Sequence, residues 1–305
     1  MKSPVLSILF LLISVTLLAV PNDFRFRHFS VEDGLSSNSV RAIMQDKYGF
    51  LWIGTEEGLN RYDGIMIKSY SICPQAAGKY ISSLYGTKKN IWIGTDEGIY
   101  IYAYATETFT YFDLTTPNNV RITSIVNHIL QDKDGNLWFS TNGQGLFRYN
   151  LSKNYLEQYE FTSAFGIVAS TMADSDNQIW ALTNQGESGV YKLNKAENKF
   201  EPFGLLYNAG NHHSQALAML EDSEQTLWLG TWECGLQKID KYTRQTTTYL
   251  HPTDGKGVTH IHSLMEYAPH QLLIGSDDGL LLFNTLTEEY KLFTENETVP
   301  NSLSN

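Results

Sequence analysis

The stretch Leu51-Trp52-Ile53-Gly54-Thr55 decides the fold, because variants of it return five more times in the 305-residue chain. Read at positions 52, 92, 138, 180, 228 and 273, the copies are 40, 46, 42, 48 and 45 residues apart. A recurring segment at such a period identifies a repeat architecture. The other copies are Ile91-Trp92-Ile93-Gly94-Thr95, Leu137-Trp138-Phe139-Ser140-Thr141, Ile179-Trp180-Ala181-Leu182-Thr183, Leu227-Trp228-Leu229-Gly230-Thr231 and Leu272-Leu273-Ile274-Gly275-Ser276.

Each copy stands in the same order of four predicted strands, A to D. Strand A is apolar and ends in an acidic turn, strand B carries the tryptophan, strand C follows a polar turn, and strand D is the most polar. Four short strands at this period are typical of a β-propeller blade. The sequence therefore predicts an all-β propeller of four-stranded antiparallel blades. The six predicted blades cover approximately residues 39–70, 79–112, 124–161, 167–203, 215–250 and 259–293.

A tryptophan that recurs in five blades could serve as a sugar-stacking platform or as packing between blades. Packing must repeat with the fold, whereas a binding site need not. We therefore interpret the recurring tryptophans as structural: Trp52, Trp92, Trp138, Trp180 and Trp228.

The two ends of the repeat array are informative. Residues 24–29 resemble a strand D with no A, B or C before it, and we predict that they form the outer strand of an incomplete seventh blade. The final segment, 301–305, echoes residues 34–38, which introduce the first strand A. We therefore expect the sequence to be the front portion of a longer protein; a six-bladed ring with a spare strand is the alternative.

The N-terminus predicts export. Lys2 precedes an apolar run from Val5 to Val20, which is short for a membrane span and suited to a secretory signal. We predict a signal peptide at residues 1–20, an uncleaved signal anchor being the alternative, and a mature propeller at 21–305. No second apolar run of spanning length follows, so we expect a periplasmic protein with no membrane span in the mature chain.

Charge and cysteine content exclude several function classes. The formal net charge of −11 disfavours nucleic acid, because phosphate binding needs clustered Lys and Arg. The two cysteines, Cys73 and Cys234, are far apart and predict neither a disulfide framework nor a thiolate metal site. Asp132-Lys133-Asp134-Gly135-Asn136 resembles part of a calcium loop but lacks the later bidentate Glu. We predict no cofactor and no metal.

Residues 29–40, 45–55 and 58–64 together resemble the two-component regulator propeller family, and the resemblance extends over residues 24–305. This family forms the periplasmic sensor region of hybrid two-component systems in glycan-degrading Gram-negative bacteria. The resemblance implies two seven-bladed propellers, followed by an immunoglobulin-like domain, a membrane helix, a histidine kinase and a response regulator. It also implies that oligosaccharides are the sensed ligands. The kinase and regulator segments are not in this sequence.

The B–C and D–A turns of a propeller emerge on the same face, and here they carry carboxylates, amides and imidazoles. They also carry the one tryptophan outside the repeat. Sugars are commonly held by planar polar groups and an aromatic platform. An ordinary solvated loop face is the alternative. The predicted ligand-binding residues are Trp232, Glu233, His212, His213, Asn142 and Gln144. A zinc site is a further alternative if His212-His213 and His260-x-His262 converge.

Three functions follow from these features. The first is a ligand-sensing propeller of a hybrid two-component receptor that binds an oligosaccharide or another small polar ligand. Its partners would be the remaining sensor domains or a second copy of the chain. The second is a free-standing exported binding or scaffold propeller. The third is a glycan-active enzyme, although no nucleophile elbow, metalloprotease motif or phosphate loop is present. We predict a protein that is not an enzyme.

Overall fold

The structure, a computed structural model, describes residues 24–73, 79–161, 166–183, 189–204, 215–252, 257–295 and 302–303. These residues form six four-stranded antiparallel sheets, each joined in sequence order, so the predicted propeller fold is confirmed. The predicted signal peptide lies outside the described residues.

Within these ranges the blades share one strand plan, preceded by a single 3₁₀ turn at Val31–Asp33. Blades 1 to 3 contain β1 (Val40–Gln45), β2 (Leu51–Thr55), β3 (Gly58–Tyr62), β4 (Ile67–Tyr70), β5 (Ile81–Gly86), β6 (Asn90–Thr95), β7 (Gly98–Ala103), β8 (Thr108–Tyr111), β9 (Val126–Gln131), β10 (Asn136–Thr141), β11 (Leu146–Asn150) and β12 (Tyr155–Tyr159). Blades 4 to 6 contain β13 (Val168–Ala173), β14 (Ile179–Thr183), β15 (Val190–Asn194), β16 (Lys199–Pro202), β17 (Ala216–Glu221), β18 (Leu227–Thr231), β19 (Leu236–Ile239), β20 (Thr246–Tyr249), β21 (Ile261–Ala268), β22 (Gln271–Ser276), β23 (Gly279–Asn284) and β24 (Tyr290–Phe293).

The A strands β1, β5, β9, β13, β17 and β21 pack side by side in that order, so they form the inner layer of the propeller. The glycine of strand B makes this approach possible. A Cβ on Gly54 or on Gly230 would lie 2.5 Å from Ile81 or Ile261, the first residue of the next A strand. Where the glycine is lost, the boundary is repacked: Ser140 hydrogen-bonds to Thr171 of the next blade at 3.1 Å.

The recurring tryptophans are buried between neighbouring blades, each with at most 3% of its surface exposed. In four blades the indole N–H donates to an aspartate six residues earlier, at 2.7–2.9 Å. The same aspartate accepts backbone N–H groups of the A–B turn, so one carboxylate ties the turn to the blade core. The four pairs are Asp46–Trp52, Asp132–Trp138, Asp174–Trp180 and Asp222–Trp228.

Blade 2 departs from this arrangement. Its A–B turn is one residue shorter, and Thr87 stands where the other blades have the aspartate. The N–H of Thr87 donates to the carbonyl of Asn90, as the N–H of Asp46 donates to the carbonyl of Phe50 in blade 1. Among the described residues, the buried indole N–H of Trp92 has no hydrogen-bond partner. Blade 2 is therefore a natural version of the repeat without the carboxylate.

Residues 24–29, predicted as the outer strand of a seventh blade, lie in no strand, because the described residues include no further sheet with which they could pair. Their side chains instead bridge blades 6 and 1. Phe24 contacts Tyr267 and Phe293 with ring centroids 5.7 and 5.1 Å apart. Phe29 contacts Tyr62 at 4.8 Å. We call this boundary between blades 6 and 1 the seam.

The seam leaves apolar surface exposed that the other boundaries bury. Val40, the first residue of β1, is 47% exposed. The first residues of the other five A strands are completely buried: Ile81, Val126, Val168, Ala216 and Ile261. On the other side of the seam, Met265 and Tyr267 of β21 are exposed as well. A Cβ on Gly275 would meet no residue of another blade within 4 Å.

Candidate ligand-binding site

The B–C turns and the connections between blades lie on one face of the propeller. At the boundary of blades 5 and 6, the N–H of Trp232 in a B–C turn donates to the carbonyl of Gln215, in the connection before β17, at 2.9 Å. The N–H of His260, in the connection before β21, donates to the carbonyl of Trp232 at 3.0 Å. These bonds fix the position of the Trp232 backbone between two successive connections.

Trp232 is the exposed exception among the six tryptophans of the chain, with 40% of its surface exposed. Its indole stacks on the His260 imidazole, with ring centroids 3.8 Å apart and an angle of 28° between the planes. His262 approaches the indole edge-on at 6.5 Å and 84°. An amphipathic aromatic ring held in place on a polar face is suited to stacking against a flat ligand.

Asp277 lies in the B–C turn of blade 6 and hydrogen-bonds to both histidines. Its Oδ2 is 2.5 Å from His260 Nδ1, and its Oδ1 is 2.7 Å from His262 Nε2. The hydrogen bond with His260, followed by that with His262, lowers the pKa of Asp277, so the carboxylate stays ionised at neutral pH. The two imidazoles are therefore oriented by one carboxylate.

The neighbouring carboxylate, Asp278, holds the connection rather than the histidines. Its Oδ2 accepts from the N–H and the hydroxyl of Thr259, at 2.6 and 2.8 Å. His260 itself has a φ of 41°, a left-handed conformation that is uncommon for residues other than glycine. We call Trp232, His260, His262, Asp277 and Asp278 the blade 5–6 cluster.

The other predicted ligand-binding residues have different surroundings. Glu233 is exposed beside Trp232 in the same turn. Asn142 is exposed on blade 3, two blades away. Gln144 is held by the backbone: its Oε1 accepts from the N–H groups of Thr123 and Ser124 at 2.9 and 3.0 Å, and its Nε2 donates to the carbonyl of Arg121 at 2.9 Å.

His212 and His213 lie outside the described residues, so their place relative to Trp232 is not part of the structure. Within the part of the chain that is described, no group of three or more His, Cys, Asp or Glu side chains is arranged to hold a metal ion. Hydrogen bonds and ring contacts hold the cluster together.

His260, His262 and Asp277 were not among the predicted site residues. A signal for them was present, because His260-x-His262 precedes strand A of blade 6, and Asp277 stands in the B–C turn of that blade. Both positions belong to the face that carries Trp232. Extending the prediction by one blade from Trp232 would have found all three.

The fold defines the molecule as a β-propeller with a polar face, and sequence comparison relates two of its repeats to a known family. The family described as two-component regulator propeller matches residues 34–57 and 120–143, which span the A strands and the tryptophan segments of blades 1 and 3. Two of the six repeats therefore match the two-component regulator propeller family, and the resemblance predicted from the sequence is confirmed.

Relatives agree with this assignment. Histidine kinase P4 from Formosa agariphila is 46% identical over 68 residues, which are 22% of this chain and 5% of that protein. The extracellular domain assigned to a hybrid two-component system of B. thetaiotaomicron superposes with a TM-score of 0.76 at 24% identity over 93% of this chain. This chain covers 38% of that domain, so it is similar to a part of a larger sensor region.

The propeller fold also occurs in enzymes. Virginiamycin B lyase from Staphylococcus aureus superposes with a TM-score of 0.67 at 15% identity, over 83% of each chain. Likeness at this identity concerns the fold and says nothing of shared chemistry. No helix among the described residues is long and apolar enough to cross a membrane.

Proposed function

We propose that this chain is an exported ligand-sensing propeller, the front portion of the sensor region of a hybrid two-component receptor, and that it binds an oligosaccharide. The repeat assignment and the similarity to extracellular sensor domains support the sensor role. Residues 1–20 would direct export to the periplasm and be removed. Signalling itself would then depend on domains that this sequence does not contain.

The observation that carries the ligand proposal is the exposed indole of Trp232, stacked on His260 and surrounded by polar groups. The five other tryptophans are at most 3% exposed, so an indole that is 40% exposed departs from the pattern of the repeat. A pyranose ring presents an apolar face of C–H groups and a rim of hydroxyls, and it can stack on the indole while its rim bonds to carboxylates and amides. Glu233, exposed in the same turn, would accept hydrogen bonds from the hydroxyl rim.

The seam supports the proposal that the ring is completed by a seventh blade. Residues 24–29 would be its outer strand, and its three inner strands would come from further sensor sequence. The exposed Val40 and the uncovered Gly275 mark surface that a neighbouring blade covers at the other boundaries. Exposed apolar sheet faces of this kind favour association until they are covered.

The ligand proposal is tested by thermal denaturation of the full chain with neutral oligosaccharides, namely maltohexaose, cellohexaose, xylohexaose and mannohexaose. A ligand at one hundred times its dissociation constant adds about 2.7 kcal/mol, which raises Tm by several degrees. We expect Trp232→Ala to abolish the shift. The control Tyr242→Ala removes a ring that is 92% exposed, in the turn between β19 and β20, on the opposite face.

Absence of a shift with every oligosaccharide, in a folded protein, would refute oligosaccharide binding by this chain. A shift that survives Trp232→Ala would move the site elsewhere. The free-standing alternative is favoured if the reading frame after Asn305 encodes no further blade. The enzyme alternative is favoured if the purified protein releases chromophore from aryl glycosides.

A further inference from the structure

We propose that Trp232 receives one neutral sugar ring on the indole face opposite His260, and that Asp277 is the positioning residue that fixes this platform. The inference rests on the proposed function, because it names how the same site would select its ligand. It concerns residues on two successive blades, so it requires the boundary of blades 5 and 6 to be rigid.

The ring geometry leaves one face of the indole available. His260 lies parallel to the Trp232 ring at 3.8 Å, which is van der Waals distance, so nothing can enter between the two rings. His262 stands at the edge. The exposed 40% of Trp232 therefore belongs to the opposite face and to the remaining edge. One open face accommodates one sugar ring by stacking.

Asp277 fixes the arrangement because it holds both imidazoles. Each hydrogen bond can be made by a neutral histidine that carries its proton on the nitrogen facing the carboxylate, so the clamp does not require a charged imidazole. Without the carboxylate, the side chain of His260 loses its side-chain hydrogen bond and can leave the stack. The indole would then gain rotamer freedom that binding must remove again.

The charges of the cluster favour a neutral ligand over an anionic one. Glu233, Asp277 and Asp278 place three carboxylates in two adjacent turns, in a chain with a net charge of −11. The imidazole N–H groups that face Asp277 are already committed to it. A uronate or sulfate would therefore meet like charge in these two turns, which is unfavourable.

The first measurement needs no ligand. The five repeat tryptophans are at most 3% exposed, so quenching of tryptophan fluorescence by acrylamide reports mainly on Trp232. We expect Asp277→Ala to increase the quenching constant and Asp277→Asn, which keeps one acceptor oxygen, to give an intermediate value. The control Asp96→Asn removes an exposed carboxylate from the B–C turn of blade 2, away from the cluster, and should behave as the parent protein.

The second measurement is calorimetric binding of the oligosaccharide that stabilises the chain, compared with trigalacturonate as the anionic probe. Loss of an aromatic stacking arrangement is worth up to about 1.4 kcal/mol, so we expect Asp277→Ala to weaken binding up to about tenfold. Asp96→Asn, outside the cluster, should leave the affinity unchanged. Trigalacturonate should not bind at the same concentrations.

The outcomes separate the two proposals. If the parent protein binds no neutral oligosaccharide, both the proposed function and the ring-binding part of this inference fail, while the quenching experiment still decides the role of Asp277. If Trp232→Ala abolishes binding but Asp277→Ala changes neither quenching nor affinity, the positioning role is refuted and the proposed function stands. Tighter binding of trigalacturonate than of the neutral ligand would refute the charge argument.

Discussion

Replacing tryptophan with phenylalanine in blades 2 and 3 measures what the carboxylate of the repeat contributes. Trp138 and Trp92 are both buried, but only the indole N–H of Trp138 is bonded, to Asp132 at 2.8 Å. The smaller ring costs each variant about 1–2 kcal/mol. Trp138→Phe also loses a hydrogen bond to a buried charge, ~1.5–3 kcal/mol, whereas Trp92→Phe removes an unpaired N–H and recovers about 1 kcal/mol.

The difference between the two variants should therefore be about 3 kcal/mol, which corresponds to ~6–12 °C in Tm for a domain of this size. Thermal and urea denaturation of the full chain, followed by far-ultraviolet circular dichroism, measure both. Asp132→Asn provides a second comparison, because it keeps an acceptor but removes the charge. Equal destabilisation of Trp138→Phe and Trp92→Phe would refute the view that the carboxylate, rather than ring packing alone, stabilises the blade.

Two further predictions concern single positions. Burial lowers the pKa of His128 to about 4, so protonation of this imidazole favours the unfolded chain. The free energy of unfolding is unaffected by His128 above pH 6.5 and falls by about 3 kcal/mol as the pH drops toward 4. His128→Ser, which installs the residue of blades 2, 4 and 6, should remove that part of the pH dependence of the urea midpoint; an unchanged slope would contradict it. Gly54→Ala places a Cβ 2.5 Å from Ile81 of the next blade and should lower stability by about 1–3 kcal/mol. A Cβ on Gly275 would lie 2.4 Å from the Ser263 hydroxyl of its own blade, which can rotate away, and within 4 Å of no other blade, so Gly275→Ala should cost less. Equal losses in Tm would count against the boundary described for the repeat.

The fold could be predicted because the same order of strands and turns occurs six times in the sequence. The buried tryptophan recurs in five blades, its bond to the aspartate in four, and the glycine of strand B in four. The departures from the repeat can be read in the sequence, but their structural consequences cannot. Loss of the glycine at Ser140 is compensated by a hydrogen bond to Thr171 of the next blade, and a single sequence does not show which residue will be opposite.

The site could be predicted less well, because turn residues have no periodicity that distinguishes a ligand contact from a local hydrogen bond. Gln144 has the side chain of a sugar-binding residue, but its amide closes the connection between blades 2 and 3. Trp232 was identified because it stands outside the repeat. Its partners His260 and Asp277 come from the following blade, 28 and 45 residues later in the sequence, and only the packing of blade on blade brings them together.

The cluster and the seam lie at two of the boundaries between blades, and the difference between these boundaries bears on the proposed sensing role. The boundary of blades 5 and 6 is closed by packing of β17 against β21, by Ile261 over Gly230, and by the hydrogen bonds of Trp232. The seam is spanned by a few aromatic contacts and by the hydrogen bond between His28 and the carbonyl of Ser302, at 2.6 Å. Blade 6 belongs to both. A ligand that strengthens the contact between blades 5 and 6 would shift the position of blade 6, because packed blades move as units rather than deforming. Since blade 6 also forms one side of the seam, the seam would be affected. Coupling between ligand and sensor would then pass through blade 6, and it would require the seam to differ in free energy between the two positions.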